Sequence, residues 1–403
     1  MKKIYFFAAL AAVALASCSN DETTAEYKGE VISFRPLMGN VTRAADQTVS
    51  TLQVANKGFF VTAIHSVGST TYINDQQFTW SDPNYVSTPK YYWPAEGTLE
   101  FFAYAPTAVS NDQLSKTNYT TFTVTPSATI AEQIDFIYAN TNGKSKTGAY
   151  TPVGGTASTY GAAGVPLNFR HTGAKIVVKV KNSVDNNLKF EITGWKLVNV
   201  DGSATFTYNN TATTGDETTD GKDSKQLLYT DWTGNADAQT VAYTSATFSA
   251  NTVDKQLTTS KYLSSTAGDG SAEDQSLNMI LIPQQTTAAA KYSAASSNAA
   301  VTTGSYIALQ MVIKNSSDNV VIADASTTVS SHTKWAMWPV AFNWVPGKKY
   351  TYTIDLAGGG YWEINDDTDD DLDPILENAE IKFVDVTVDN WIDAEGINVT
   401  GGI

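Results

Sequence analysis

The sequence predicts an all-β protein made of two successive sandwich-like units. Short apolar segments alternate with clusters of Gly, Pro, Asn, Asp, Ser and Thr along most of the chain, a pattern typical of strands joined by turns. Charged residues are only 17% of the 403 residues, against roughly 25% in an average soluble protein. Residues that favour strands and turns replace them, and the length suits more than one domain.

The first unit is predicted from a series of short apolar segments. These are residues 31–34, 58–63, 91–94, 99–104, 122–125 and 134–138. In the last of them Ile134, Phe136 and Tyr138 alternate with polar neighbours, which predicts one buried face. Residues 140–164 are rich in Gly, Thr, Ser and Ala, and we expect a loop near a domain boundary there.

The second unit shows clearer alternation. Strands are predicted at residues 165–171, 175–181, 190–192, 195–200, 279–282, 306–313, 350–356 and 381–388. Ile176, Val178 and Val180 share one face of their segment, and the lysines at 175, 179 and 181 share the other. This is the pattern of a half-buried strand.

The N-terminus carries the features of an exported lipoprotein. Lys2 and Lys3 precede a twelve-residue apolar run, residues 4–15, which is typical of a signal peptide and too short to span a membrane. The run ends in Leu-Ala-Ser-Cys, so the only cysteine of the chain, Cys18, stands at the lipid-attachment position of a bacterial lipobox. We therefore predict a mature protein that begins at lipidated Cys18 and is tethered by acyl chains.

Composition and motifs exclude several classes of function. The formal net charge of −15 argues against a nucleic-acid partner, and one cysteine excludes an internal disulfide. No catalytic, nucleotide-binding or metal-binding motif is present, so no catalytic residue, cofactor or metal is predicted. The histidines, His65, His171 and His332, are far apart in sequence. We interpret His171, at the end of an apolar face, as a packed or hydrogen-bonded histidine.

An acidic stretch precedes the last predicted strand. Residues 363–377 hold eight acidic side chains and no basic one. Carboxylates are ligands for Ca²⁺, but the stretch lacks the glycine of an EF-hand loop. A solvated, self-repelling linker is the simpler interpretation, and calcium binding stays open.

Several motifs together resemble the Bacteroidales fimbrillin family, the pilins of type V pili. They are residues 91–94 and 101–106, residues 135–139, residues 167–171 with 174–176, residues 281–284, and residues 344–352. Their order covers nearly the whole mature chain. The resemblance implies two tandem transthyretin-like β-sandwiches and a non-enzymatic fimbrial subunit that supports adhesion.

The resemblance also implies how such a subunit assembles. The lipoprotein reaches the outer membrane at the cell surface, where an Arg-specific protease cuts after an arginine near the N-terminus. Arg43 is the matching residue, so the bond to Ala44 would be cut and the strand with Val31, Ile32 and Phe34 would be lost. The emptied position would then accept a strand from another fimbrial subunit, and the product would be a fimbrium.

The donor strand implied by the resemblance is the C-terminal segment, with Ile381, Phe383, Val386 and Val388 as apolar anchors. Their alternation changes phase after Phe383, which requires a bulge or a change of face. The alternative is that this strand folds into its own C-terminal unit. A shaft subunit needs both groove and donor, whereas a tip subunit needs only the groove. Cleavage at Arg43 argues against an anchor subunit.

The predicted organisation follows from these features. It comprises a signal peptide (1–17), a propeptide with the removable strand (18–43), an N-terminal sandwich (44–164), a C-terminal sandwich (165–361), and an acidic linker with the candidate donor strand (362–403). Nine Trp and twenty Tyr leave a second hypothesis open, a lipid-anchored glycan-binding surface protein. A host or bacterial surface ligand is compatible with both. A hydrolase is the third and least supported hypothesis.

Overall fold

The computed structural model of the chain is almost entirely β-structure, which confirms the predicted class. It describes residues 29–37, 49–54, 57–107, 112–150, 157–209, 227–234, 239–254, 256–266, 268–289, 303–322, 334–362 and 383–391. Two one-turn α-helices are present, α1 (Val49–Leu52) and α2 (Tyr160–Ala163). Within these ranges no helix is long and apolar enough to cross a membrane.

The strands fall into two groups along the chain. Those of the first group are β1 (Phe34–Leu37), β2 (Phe59–His65), β3 (Thr70–Ser81), β4 (Asn84–Val86), β5 (Leu99–Ala105), β6 (Leu114–Asn118), β7 (Thr121–Val124), β8 (Ile137–Lys144), β9 (Ala149–Tyr150), β10 (Ser158–Thr159), β11 (Val165–Asn168) and β12 (Arg170–His171). Those of the second are β13 (Ala174–Asn182), β14 (Leu188–Asp201), β15 (Ala204–Thr207), β16 (Trp232–Gly234), β17 (Gln239–Thr244), β18 (Asn251–Val253), β19 (Leu257–Tyr262), β20 (Met279–Leu281), β21 (Tyr306–Asn315), β22 (Val320–Ile322), β23 (Lys334–Pro339), β24 (Lys348–Asp355), β25 (Tyr361–Trp362) and β26 (Phe383–Asn390).

The first unit is built on an eight-stranded sheet with the order β11-β1-β4-β3-β2-β5-β8-β12. Its inward side chains form one core that is rich in phenylalanine. The pairing of β1 with β11 is parallel and the other pairings are antiparallel. The chain therefore returns to pair with β1 only after β2, β3, β4, β5 and β8 have joined the sheet.

The second unit is a sandwich of two sheets. One has the order β19-β13-β24-β26, with β20 also on β13, and the other has the order β17-β14-β21-β23-β25. Side chains from both sheets share one core, and Ile176, Val178 and Val180 belong to it as predicted. The assignment of both units to the transthyretin-like type remains a prediction.

A third core joins the two units. Strand β7 of the first unit pairs with β15 of the second in the sheet β16-β15-β7-β6. Phe102, Phe122 and Tyr138 from the first unit pack with Phe206 and Trp232 from the second. Because strand pairing and an apolar core both cross the junction, the two units are held by more than a linker.

Two segments differ from the sequence-based expectation. Residues 140–164, predicted as a loop, contain the end of β8, the short hairpin of β9 and β10, and α2. Residues 165–171, predicted to open the second unit, pair within the first sheet, and the change of sheet falls before Ala174. The apolar alternation at 165–171 predicted strands correctly, but it carries no information on which sheet they join.

Candidate functional site: the N-terminal strand and its groove

The segment 30–37 lies in a groove with strand neighbours on both sides. On one side residues 34–37 pair in parallel with Val165–Asn168. On the other side Val31 bridges Tyr92, and Phe34 stands opposite Tyr85. We call the surface formed by Tyr85, residues 91–93 and Val165–Asn168 the N-terminal groove.

Backbone hydrogen bonds hold the segment along both walls. The Ile32 amide donates to the Tyr91 carbonyl at 2.8 Å, and the Trp93 amide donates to the Glu30 carbonyl at 3.0 Å. The Val165 amide donates to the Ser33 carbonyl at 2.8 Å. Removal of the segment would leave these groups of the groove without their partners, and unpaired strand edges are templates for another strand.

Two side chains of the segment are part of the core. Ile32 and Phe34 are both fully buried. The Phe34 ring meets the ring of Phe78 edge-on at a centroid distance of 4.7 Å, and that of Phe101 at 5.0 Å. Such pairs add to the energy of apolar burial, so Phe34 is the main anchor of the segment.

Glycine at position 164 allows the close approach of the segment. Gly164 has φ +79°, and a Cβ there would lie 3.2 Å from Ser33 Oγ and 3.4 Å from the carbonyl carbon of Phe34. An L side chain rarely adopts this φ. The start of Val165–Asn168 is therefore shaped to the strand that occupies the groove.

The groove is apolar in character. Tyr85, opposite Phe34, is fully buried, and its burial raises the pKa of the phenol well above the usual range. Ser33 is also buried, and its neighbours Ile32 and Phe34 are apolar. A strand that fills this groove must therefore supply large apolar side chains two residues apart.

The C-terminal strand, Phe383–Asn390, is seated in its own unit. It pairs antiparallel with Lys348–Asp355, with Val386 opposite Tyr352 and Val388 opposite Tyr350. The register shifts at residue 384, where the sequence requires a bulge or a change of face. Val386 and Val388 share the face of two buried tyrosines, yet they remain 38% and 51% exposed. Much of the apolar surface of Val386 and Val388 is therefore not buried within their own unit.

Trp391, just beyond that strand, reaches the junction of the units. Its ring is 2% exposed and stacks on the ring of His171. His171 Nδ1 donates to the Asp135 carboxylate, with oxygens at 2.9 and 3.0 Å. The interpretation of His171 as a hydrogen-bonded histidine is confirmed. Sequence analysis missed its partners because they lie 36 and 220 positions away, and only the motif at residues 135–139 points to Asp135.

Other predicted sites fall in different places. Cys18, Arg43, Ala44, Ile381 and the acidic stretch lie outside the described residues. No cluster of His, Cys, Asp or Glu that could hold a metal is found in the described part of the chain. Among the described residues the most exposed large apolar side chains are valines, and Trp80 and Trp335 are partly exposed.

The sequence matches two family models. It matches the model of a family described as fimbrillin-like over residues 42–391. Residues 1–19 match the model of a prokaryotic membrane lipoprotein lipid attachment site. No curated protein matches the chain.

Two solved structures that match the chain come from Bacteroides vulgatus and Porphyromonas gingivalis. A fimbrial protein from Bacteroides vulgatus is 17% identical with a TM-score of 0.51, and the match covers 90% of this chain and 99% of that one. A fimbrilin from Porphyromonas gingivalis is 12% identical with a TM-score of 0.35, and the match covers 90% and 98%. The similarity of fold rests on the first structure, and membership of a family rests on the family model.

Proposed function

The chain belongs to the fimbrillin-like family, and from that membership we propose that it is a fimbrial subunit that polymerises by strand exchange after cleavage at Arg43. The observation that carries the proposal is the seating of Ile32 and Phe34 in the N-terminal groove. A strand that is central to a core, lies near the N-terminus and is followed closely by an arginine can be removed by one cut.

Export and tethering precede assembly. The lipid attachment site at the N-terminus supports acylation of Cys18, and the acyl chains would hold the precursor at the outer membrane on the cell surface. The cut behind Arg43 would then release the chain from its anchor, because Cys18 lies in the fragment that is lost. Loss of the tether and opening of the groove would both follow when the cut fragment leaves.

Arg43 is the arginine that is best placed for such a cut. The chain contains three arginines. Arg35 lies within β1, and Arg170 lies within β12 and is 6% exposed. Proteases require an extended, accessible backbone, which paired strands do not offer. An Arg-specific protease would therefore act at the bond between Arg43 and Ala44.

The emptied groove would need a strand with matching anchors. Ile32 and Phe34 are two residues apart, and Ile381 and Phe383 of the C-terminal segment repeat this spacing with the same residue types. Val386 and Val388 offer further apolar surface that their own sheet leaves exposed. With about 1.5–3 kcal/mol for each buried side chain, two anchors would contribute roughly 3–6 kcal/mol before ordering costs.

These features favour a shaft subunit over a tip subunit. A shaft subunit must offer a groove and a donor strand. The exposed Val386 and Val388 leave the C-terminal strand with apolar surface that could be buried against another subunit. The partners would be other fimbrial subunits and an Arg-specific protease, and the polymer would support adhesion to a host or bacterial surface. No step of this assembly requires catalysis by the chain itself.

The first test is the N-terminus and intact mass of the protein taken from the cell surface. The proposal expects a chain that starts at Ala44 and migrates as SDS-resistant oligomers. A monomer that keeps lipidated Cys18 in cells that contain the protease would overturn it.

Three variants separate the arginine from general effects of charge. Arg43→Ala and Arg43→Lys should both block cleavage by an Arg-specific protease and leave the precursor monomeric. Lys28→Ala removes a basic residue from the same propeptide and should be processed normally. If Arg43→Ala forms as much polymer as the unmodified protein, the cut after Arg43 is not required.

A further inference from the structure

The indole of Trp391 is enclosed at the junction of the two units. It stacks on the His171 imidazole with ring centroids 4.2 Å apart and an interplanar angle of 4°. The Trp391 amide donates to the Gly347 carbonyl at 2.9 Å, and the Gly347 amide donates to the Gly173 carbonyl at 2.8 Å. The end of the C-terminal strand is thus fixed by backbone and by ring contact together.

The surface beneath the indole belongs to the first unit. His171 pairs with Ile137 in the first sheet. Its ring is held by the Asp135 carboxylate, and the two side chains are 1% and 0% exposed. Buried side chains that hydrogen-bond to one another are rigidified, so the imidazole is a fixed platform for the indole.

A lysine of the second unit also contacts the Trp391 indole. Lys175 Nζ lies 5.9 Å from the centre of the Trp391 ring, and it donates to Gln275 Oε1 at 2.8 Å. Lys175 is 2% exposed, although its alternation with Ile176 predicts a solvent-facing side chain. The cation over the indole face adds a favourable interaction, and it accounts for a buried lysine on that face of the strand.

The remainder of the C-terminal strand contributes less to its own retention. It is an edge strand, paired on one side only in the described sheet. Its side chains at Val386 and Val388 are 38% and 51% exposed. Since burial of apolar area is the dominant stabilising term, the buried indole is the strongest single attachment that the structure describes for this strand.

One continuous segment connects this attachment to the N-terminal groove. Val165–Asn168 forms a wall of the groove, and three residues further on His171 carries the stack. Between them Phe169 packs against Phe59 with ring centroids 5.2 Å apart, and Phe59 in turn packs against Phe34 at 6.0 Å. Packed side chains with few voids transmit displacement.

We propose that Trp391, stacked on His171, is a latch on the C-terminal strand, and that residues 165–171 couple its release to the emptying of the N-terminal groove. The biological role of the latch rests on the proposed function, because a released donor strand needs an acceptor groove on another subunit. The latch itself is a property of a single chain. A subunit whose groove is still filled would then keep its donor strand seated, and premature donation would be suppressed.

The latch is tested on monomeric protein by hydrogen–deuterium exchange with mass spectrometry. The protein is the unlipidated chain that begins at Ser19, which keeps every residue that the structure describes. Trp391→Ala should speed exchange in residues 383–390 at least about tenfold, since truncation of a buried Trp is among the costliest core changes. Trp391→Phe keeps a ring for the stack. Its exchange rate in residues 383–390 should lie between those of the unmodified chain and Trp391→Ala.

Two controls keep this measurement specific. Thr387→Ala shortens an exposed side chain on the same strand and should leave its exchange unchanged. Peptides from Tyr306–Asn315, in the centre of the other sheet, report global unfolding and should not change in any variant. Equal exchange of residues 383–390 in Trp391→Ala and the unmodified chain would overturn the latch.

The coupling is tested by cutting the same chain after Arg43 with an arginine-specific endoprotease and confirming by native mass spectrometry that the N-terminal fragment has dissociated. Faster exchange of residues 383–390 in the cut monomer supports the coupling. Unchanged exchange overturns it. Both readouts precede any polymer, so a chain that shows the latch and still fails to polymerise would count against the proposed function alone.

Discussion

The N-terminal and C-terminal strands are held in opposite ways. The N-terminal segment has strand neighbours on both sides, and Ile32 and Phe34 are fully buried. Within the described residues the C-terminal strand is paired on one side, and Val386 and Val388 are substantially exposed. One strand is part of a core, whereas the other lies at the edge of a sheet.

The difference bears on how each strand could leave. Emptying the groove removes core side chains and leaves backbone groups unpaired on two walls, which is costly without a compensating reaction. A cut turns the segment into a separate fragment that can diffuse away, and a donor strand would then replace the lost contacts. The C-terminal strand could leave through local opening alone, once the ring at Trp391 is free.

The largest expected effect is on the anchor of the N-terminal segment. Phe34→Ala should lower the free energy of unfolding of the uncut chain by about 3–5 kcal/mol, because a fully buried aromatic side chain is lost. Denaturant titration measures it. Val67→Ala, at a position that is 55% exposed in the same unit, should change stability by less than about 0.5 kcal/mol. A small effect at Phe34 would contradict its place in the core.

A smaller effect is expected where the groove wall is crowded. Gly164→Ala should cost about 1–3 kcal/mol, since the new Cβ meets Ser33 and Phe34 and the φ is positive. Gly68→Ala is the matched control, because it has φ +74° but only one side-chain atom, at 3.6 Å, near the new Cβ. The excess cost at Gly164 should shrink once the N-terminal strand has been removed. An excess that persists in the cut chain would place the strain elsewhere.

The sequence predicts much of the groove and little of the latch. Apolar residues two positions apart in 31–34 and in 165–169 indicate buried strands, because a strand has a two-residue period. That the two pair with each other, in parallel and far apart in sequence, depends on the whole sheet and has no local signal. The stack of Trp391 on His171 is of the same kind, because nothing near either residue marks the other.

Exposure at the C-terminal strand also escapes prediction. Val386 and Val388 have the alternation of a half-buried strand, and the structure places them on the face of Tyr352 and Tyr350. They remain exposed because they lie at the edge of the sheet. A periodic pattern shows which side chains share a face. It does not show how far the neighbouring sheet extends over that face.

Acid should destabilise the turn around Asp274, beside the latch, by less than the cost expected for Gly164→Ala. Burial opposes ionisation of Asp274, but hydrogen bonds from Ser265 and Ser276 outweigh it and lower the pKa to about 2. Its stabilising contribution is therefore complete above the ordinary pKa near about 3.9 and is lost as the pH falls toward 2. Since the carboxylate is partly solvated, we expect about 1 kcal/mol or less.

The acid effect is measured by hydrogen–deuterium exchange at residues 273–278 between pH 4.5 and 2.5, corrected for intrinsic exchange rates. Gln275 in this turn contacts Lys175, which lies over Trp391, so the C-terminal strand should respond and residues 91–93 of the groove should respond less. Asp274→Asn removes the titrating group and should flatten this dependence. An equal response in that variant would assign the effect to other carboxylates.

The smallest effect on the fold is expected at the exposed valines, and it is the one that separates folding from assembly. Val388→Lys should change the stability of the monomer by less than about 0.5 kcal/mol, because the side chain is 51% exposed and lysine is well tolerated on edge strands. Val320→Lys, at a position that is 37% exposed elsewhere in the second unit, is the matched control.

In the proposed polymer Val388 would face the apolar groove of the next subunit, where a lysine would be buried without a partner. Val388→Lys should therefore give few SDS-resistant oligomers after cleavage, while Val320→Lys should assemble normally. If both variants assemble alike, Val388 is not a donor anchor, and the donated part of the strand must lie closer to Phe383.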